Sequence, residues 1–262
     1  MQKIWETNNK QLTLAVSIKC QGTCRFRIIA QDLKPFSKYV DREIIVEGYR
    51  TIDLKLPICP KKISIDVTIA NGGNPNTDFL VGIEEKPLST YNIYLDSEVS
   101  DFLKLCVPFC QSSGFIQATP GGRVYTKGTT NQFYIKYFPV IKDYMTGVVL
   151  NTPARIGHRT GIIEVSKASF DKYTIAMRMI ILLHEFSHKY RNPKINLPIS
   201  HESGADVNAL YIYLGLGFSK VDAIYVFANV FLKAQTDGNI RRMRKIMDYI
   251  TKFENEEFAH KN

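Results

Sequence analysis

The chain has 262 residues, of which 45% are hydrophobic, 11% aromatic and 23% charged, with a formal net charge of +9. This is the composition of a folded chain with a sizeable core, and it excludes disordered, collagenous and mucin-like classes. No run of about 18 apolar residues is present, so no membrane-spanning helix is expected.

The charge is uneven. Residues 1–100 hold 13 Lys and Arg against 12 Asp and Glu, and residues 101–262 hold 21 against 13. An excess of that kind suits an acidic partner such as nucleic acid, but the only dense run is Arg241-Arg-Met-Arg-Lys245, and no nucleic-acid motif accompanies it. The start, Met1 to Lys10, lacks a signal-peptide apolar segment. The five cysteines (Cys20, Cys24, Cys59, Cys106, Cys110) form no C-x-x-C pair, which argues against a disulfide framework and against a zinc ribbon. Reduced thiols are expected, in the cytoplasm or inside a particle assembled there.

Up to about residue 90 the pattern has period two. Leu12 to Ile18, Arg25 to Ile29, Arg42 to Val46, Tyr49 to Leu56, Ile63 to Ile69 and Phe79 to Ile83 are β-branched or alternating runs, separated by turn signals such as Gln21-Gly22, Lys34-Pro35, Cys59-Pro60 and Asn71-Gly-Gly-Asn-Pro75. Six or seven strands at that spacing predict a β-sandwich over residues 1–90. No cluster in it is chemical, and a binding or assembly role is expected.

The texture changes near Pro87, and residues 91–262 read as a separate α+β domain. Ser97 to Gly114 has helical spacing, with Ser97 placed to cap it and Gly114 to stop it. Gly121 to Thr126, Gln132 to Tyr137, Met145 to Leu150 and Gly161 to Val165 read as strands, and the last is expected to offer an unpaired edge to an extended peptide. Four helical stretches follow: Asp171 to Tyr190, Glu202 to Leu214, Lys220 to Lys233 and Ile240 to Phe258.

His184-Glu185-Phe186-Ser187-His188 fits H-E-x-x-H inside the first of these. Residues i and i+4 stack on one helix face, so both imidazoles can reach one Zn²⁺ at about 2.0–2.1 Å, with Glu185 beside the metal's open side as a general base. A third ligand is needed. Glu202, at the start of the next helix, can turn back to the metal after the loop Arg191 to Ser200; His201 is a rival. Asp206 shares the face of Glu202 and is placed to accept the N–H of a ligating histidine.

With these residues the chain resembles the gluzincin branch of zinc metallopeptidases, in which a glutamate on a later helix, often as E-x-x-x-D, completes an H-E-x-x-H site. The resemblance covers roughly residues 97 to 215. It implies a zincin-like fold, zinc held by His184, His188 and Glu202, and Glu185 as base. The metzincin pattern is absent, since Arg191 and Lys194 stand where its glycine and third histidine would be. The connection from His188 to Glu202 is shorter than in thermolysin and closer to that of small intracellular or phage-encoded peptidases. Such enzymes usually add a Tyr or His donor for the oxyanion, and His158, Tyr211 and Tyr225 are the candidates. Two functions are expected from this reading. The first is a zinc endopeptidase acting on a protein or peptide substrate. The second is a structural component of a large assembly, such as a tailed-phage neck or tail ring, that contacts neighbouring chains and keeps a vestigial or accessory zinc site.

Overall fold

The alternating apolar residues from Leu12 onward form two long strands where the sequence predicts four short ones. In the computed structural model, which describes residues 1–34, 37–70, 73–74, 77–126, 134–157, 159–190, 202–234, 236–255 and 260–261, the chain divides into two units. The first comprises residues 1–89 with 217–219, and the second residues 90–216 with 220–262.

The first unit is one antiparallel sheet of β1 (Gln2–Glu6), β2 (Leu12–Asp32), β3 (Lys38–Leu56), β4 (Lys62–Ile69) and β5 (Phe79–Pro87). Its order is β1-β4-β2-β3, with β5 also on β2. β2 and β3 pair along their length except where the register shifts, between Lys19 and Thr23 and again between Ala30 and Gln31. Gly22 and Gly48 both lie at the first of these breaks, with φ of 68° and 67°, a conformation that costs glycine little. The turn signal Gln21-Gly22 therefore marks a bulge within a single hairpin. β5 pairs the half of β2 before the break, Leu12 to Cys20, and β4 pairs the half after it, Phe26 to Asp32. The buried side chains Leu14, Val16, Ile18, Phe26, Ile28, Val46, Leu54, Ile63 and Ile65 form the core of this unit.

The second unit opens with β6 (Tyr91–Asn92) and α1 (Ser97–Ser112). Asp96, and not Ser97, caps α1 by accepting the Val99 amide at 2.9 Å, and the helix stops at Ser113 rather than Gly114. A mixed sheet follows, ordered β7-β8-β10-β9, from β7 (Arg123–Tyr125), β8 (Tyr134–Phe138), β9 (Ala154–Ile156) and β10 (Ile162–Ser166). Met145 to Leu150 is not a strand: Asp143 accepts the amides of Met145 and Thr146 and ties the segment into a turn, leaving one isolated bridge from Lys142 to Val149.

The remaining helices are α2 (Lys167–Phe170), α3 (Ile175–Ser187), α4 (Glu202–Gly215), α5 (Lys220–Val226) and α6 (Asp237–Glu254). A π-helical turn, Phe227–Phe231, extends α5. Terminal β11 (His260–Lys261) pairs with β6. The chain is thus α+β, with a five-stranded antiparallel sheet in one unit and, among the described residues, six α-helices in the other. No helix of the described residues is long and apolar enough to cross a membrane.

α3 is the centre of the second unit. Every one of its residues is buried, the environment that an apolar face all round a helix requires. The Thr174 hydroxyl caps its start on the Met177 amide, and Phe186 stacks on Phe102 of α1 at 4.2 Å. The buried Arg178 donates to the carbonyls of Phe170 and Cys110, at the ends of α2 and α1, where the helix dipoles are negative.

Candidate metal centre

The last turn of α3 carries His184 and Glu185, and His188 is its C-terminal cap, still in helical conformation at φ −67° and ψ −19°. The two imidazoles therefore keep the i, i+4 relation, and their Nε2 atoms lie 3.2 Å apart. Glu202 opens α4 and returns its carboxylate to both, with Oε2 3.5 Å from His184 Nε2 and Oε1 3.7 Å from His188 Nε2. Zinc–nitrogen bonds of about 2.0–2.1 Å imply a tetrahedron with an edge of about 3.3 Å. The 3.2 Å between the imidazole nitrogens is close to that edge, and each nitrogen has a different Glu202 oxygen at 3.5 or 3.7 Å, so the three side chains converge closely enough to hold one metal ion.

Asp206, one helical turn after Glu202 and 1% exposed, places Oδ1 3.0 Å from His184 Nδ1, though off the line of the ring N–H. A carboxylate there favours the tautomer that leaves Nε2 bare for a cation. Asp206 is itself held by Arg242 of α6, whose Nε and Nη2 each donate at 2.9 Å, and Nη2 also donates to Glu202 at 3.1 Å. Glu185 is 6% exposed and next to β9, where the Ile156 amide supports its carboxylate. The Phe231 ring covers His184 at a centroid distance of 4.3 Å. The π-helical turn, closed by the Leu232 amide on the Phe227 carbonyl, sets that ring's place.

The electrostatics favour a cation. Burial works against a charged His184, but Asp206, Glu202 and Glu185 override it and push its pKa up to about 9. The hydrogen bond from His184 holds Glu202 down at about 2, and desolvation raises Glu185 to about 7. In the metal-free chain the proton on His184 answers part of this negative charge; a divalent ion that displaced it would face two neutral imidazoles, three carboxylates and one guanidinium, an excess of two negative charges that it balances.

Five expected site residues are thus brought together: His184, Glu185, His188, Glu202 and Asp206. His158, His201 and the loop Arg191 to Ser200 lie outside the described residues. The Tyr211 hydroxyl accepts the Tyr94 amide at 3.0 Å, a structural bond, and Tyr225 is half exposed on α5. Arg242, Phe231 and Ile156 were not legible as site residues. Arg242 sits in the basic run that reads as a solvated or nucleic-acid face, yet its side chain is drawn to the acidic pair.

The expected peptide-binding edge needs correcting. β10 is paired on both sides, parallel to β8 and antiparallel to β9. The edge is β9. Ser166 N bonds Pro153 O and Gly157 N bonds Ile162 O, so residues 153, 155 and 157 face β10, while the amides of Ala154 and Ile156 point away from it.

No protein family, curated protein or solved structure matches this chain.

Proposed function

We propose that the chain is a zinc-dependent endopeptidase of the gluzincin type, with a zincin-like second unit and a first unit whose single sheet, bent at the bulge, would pack its two halves face to face as a β-sandwich module. It acts on a protein or peptide in the cytoplasm or in a virion assembled there. The observation that carries the reading is the convergence of His184, His188 and Glu202, whose donor atoms lie 3.2 to 3.7 Å apart, with Glu185 buried beside them. These residues would hold Zn²⁺, which when bound supplies the Lewis acidity that activates water and polarises a scissile carbonyl. Glu185 takes the proton of the attacking water and returns it to the leaving amine. Asp206 orients His184, and Arg242 orients Asp206 and Glu202 together. The amide of Ala154 faces away from β10, and an extended substrate that adds to β9 as a further strand would reach it by displacing what covers Ala154, which is 2% exposed.

The deciding experiment pairs metal analysis of the purified chain with a peptidase assay on wild type and Glu185→Gln. One equivalent of zinc in both proteins and hydrolysis in wild type only supports the enzyme. Equal hydrolysis in both, or no zinc in either, removes it.

A second reading, an assembly component with an accessory zinc site, is favoured by the large apolar side chains exposed on the first unit's strands, Ile4, Ile45, Tyr49 and Leu80. Interfaces of at least about 1,000 Å² with neighbouring chains are expected if it holds. Zinc without hydrolysis, in a chain that sediments as an oligomer, would support it.

A further inference from the structure

We propose that Cys20 and Cys24 are a two-thiol modification site, which hydrogen peroxide converts to a reversible disulfide across the bulge in β2.

Four residues of regular strand span about 13 Å, far beyond the 4.4–6.8 Å between Cα atoms that a disulfide needs. The bulge changes this. Cys20, Gln21 and Gly22 fall between the rungs Lys19–Tyr49 and Thr23–Glu47, so three residues oppose Gly48 alone, and Gly22 turns the chain at positive φ. Both thiols are folded onto that turn. Cys20 Sγ lies 3.7 Å from the Gly22 carbonyl and 3.7 Å from the carbonyl of Val46, the residue paired with Cys24. Cys24 Sγ lies 3.4 Å from the carbonyl of Gln21, the neighbour of Cys20. Each sulfur thus sits on backbone belonging to the other's surroundings, and both are free thiols.

Their exposure is graded as a peroxidatic and a resolving thiol require. Cys24 is partly exposed and Cys20 is buried at 8% exposure. The other three cysteines are buried, and Cys106 and Cys110 are fully enclosed between α1 and α3. In the first step the Cys24 thiolate attacks a peroxide oxygen, the O–O bond breaks, and the departing hydroxide takes up a proton to leave as water. Cys24, oxidised by two electrons, is then a sulfenic acid. In the second step Cys20 sulfur attacks Cys24 sulfur, the S–S bond forms, the S–O bond breaks, and the hydroxyl leaves as water with the Cys20 proton. A dithiol reductant reverses the change by exchange. The bridge would pin the bulge at which β2 passes from its β5-paired half to its β4-paired half.

The test uses the full chain. After peroxide treatment the remaining thiols are blocked with iodoacetamide, and trypsin, cutting after Lys19 and Arg25, releases residues 20–25, which hold both cysteines and no other. The expected peptide is two hydrogens lighter than the dithiol and carries no alkyl group. Dithiothreitol restores it, and peptides with Cys59, Cys106 and Cys110 stay alkylated. In Cys20→Ser, and in Cys20→Ala, which adds no polar group to a buried position, Cys24 lacks its resolving thiol and should reach sulfinic or sulfonic acid about ten-fold more than in wild type. A doubly alkylated wild-type peptide at every peroxide concentration, or overoxidation of Cys24 in wild type equal to that in the variants, would overturn the proposal.

Discussion

Arg242 grips Asp206 with two charge-assisted hydrogen bonds of 2.9 Å from a helix 36 residues further along the chain. The grip passes through Asp206 to His184 and, by the 3.1 Å bond to Glu202, to a second prospective ligand. Removing it frees a buried carboxylate and loosens two metal-binding side chains at once. Arg242→Met should therefore weaken zinc binding by about 10–100-fold, the usual cost of losing outer support at a metal site. Arg242→Lys keeps the charge but not the fork and should recover only part of the loss. Competition with a chromophoric chelator measures both, and unchanged affinity in Arg242→Met would assign the arginine to structure alone.

Glu185 offers the cleanest separation of binding from chemistry. Glu185→Gln keeps the volume and the oxygen facing the Ile156 amide while deleting the base. Zinc content should stay at the wild-type level, and any hydrolysis should fall by about 10²–10⁴-fold. Parallel loss of metal and activity would mean that Glu185 holds the site together rather than working in it.

The parts of this site that were legible in the sequence are those written in local spacing. His184 and His188 are one helical turn apart, as are Glu202 and Asp206, and a helix converts each spacing into a shared face. Arg242 was hidden because its role depends on how α6 packs against α4, and its neighbours Arg241, Arg244 and Lys245 present the same chemistry. β9 was hidden because three residues carry no measurable period, and without it β10 reads as an edge. In the first unit Gln21-Gly22 and Gly48 have the residues of a turn, and the same positive φ serves a bulge just as well. Only the long-range pairing of β4 and β5 on successive halves of β2 tells the two apart.

The corrected edge has its own consequence. Ala154 points its amide away from β10, so Ala154→Pro removes an outward donor and leaves the Ser166 N to Pro153 O rung in place. If a substrate adds to this edge, the loss is one backbone hydrogen bond of about 0.5–1.5 kcal/mol, or roughly 2–10-fold in kcat/KM, with zinc content unchanged. Identical kcat/KM values for the two proteins would place the substrate elsewhere.

The last prediction concerns Asp32, at the end of β2 in the first unit. It is 8% exposed, its neighbour Tyr39 donates to it at 3.3 Å, and desolvation pushes its pKa up to about 6. The folded chain thus holds a proton on Asp32 that the unfolded chain, with an ordinary carboxyl near 3.9, has released. Where the native state binds more protons, stability falls as pH rises. The contribution of Asp32 is fully present below about pH 4 and is lost as pH passes through 6, leaving a buried carboxylate that costs on the order of 3 kcal/mol above that pH. Asp32→Asn keeps an acceptor for Tyr39 and cannot ionise. Urea unfolding followed by the fluorescence of Trp5, the single tryptophan and a residue of β1, reports on this unit. The variant and wild type should unfold at the same urea concentration at pH 4. At pH 7.5 the variant should be the more stable, by on the order of 3 kcal/mol. A constant difference at both pH values would show that Asp32 titrates normally in the folded chain.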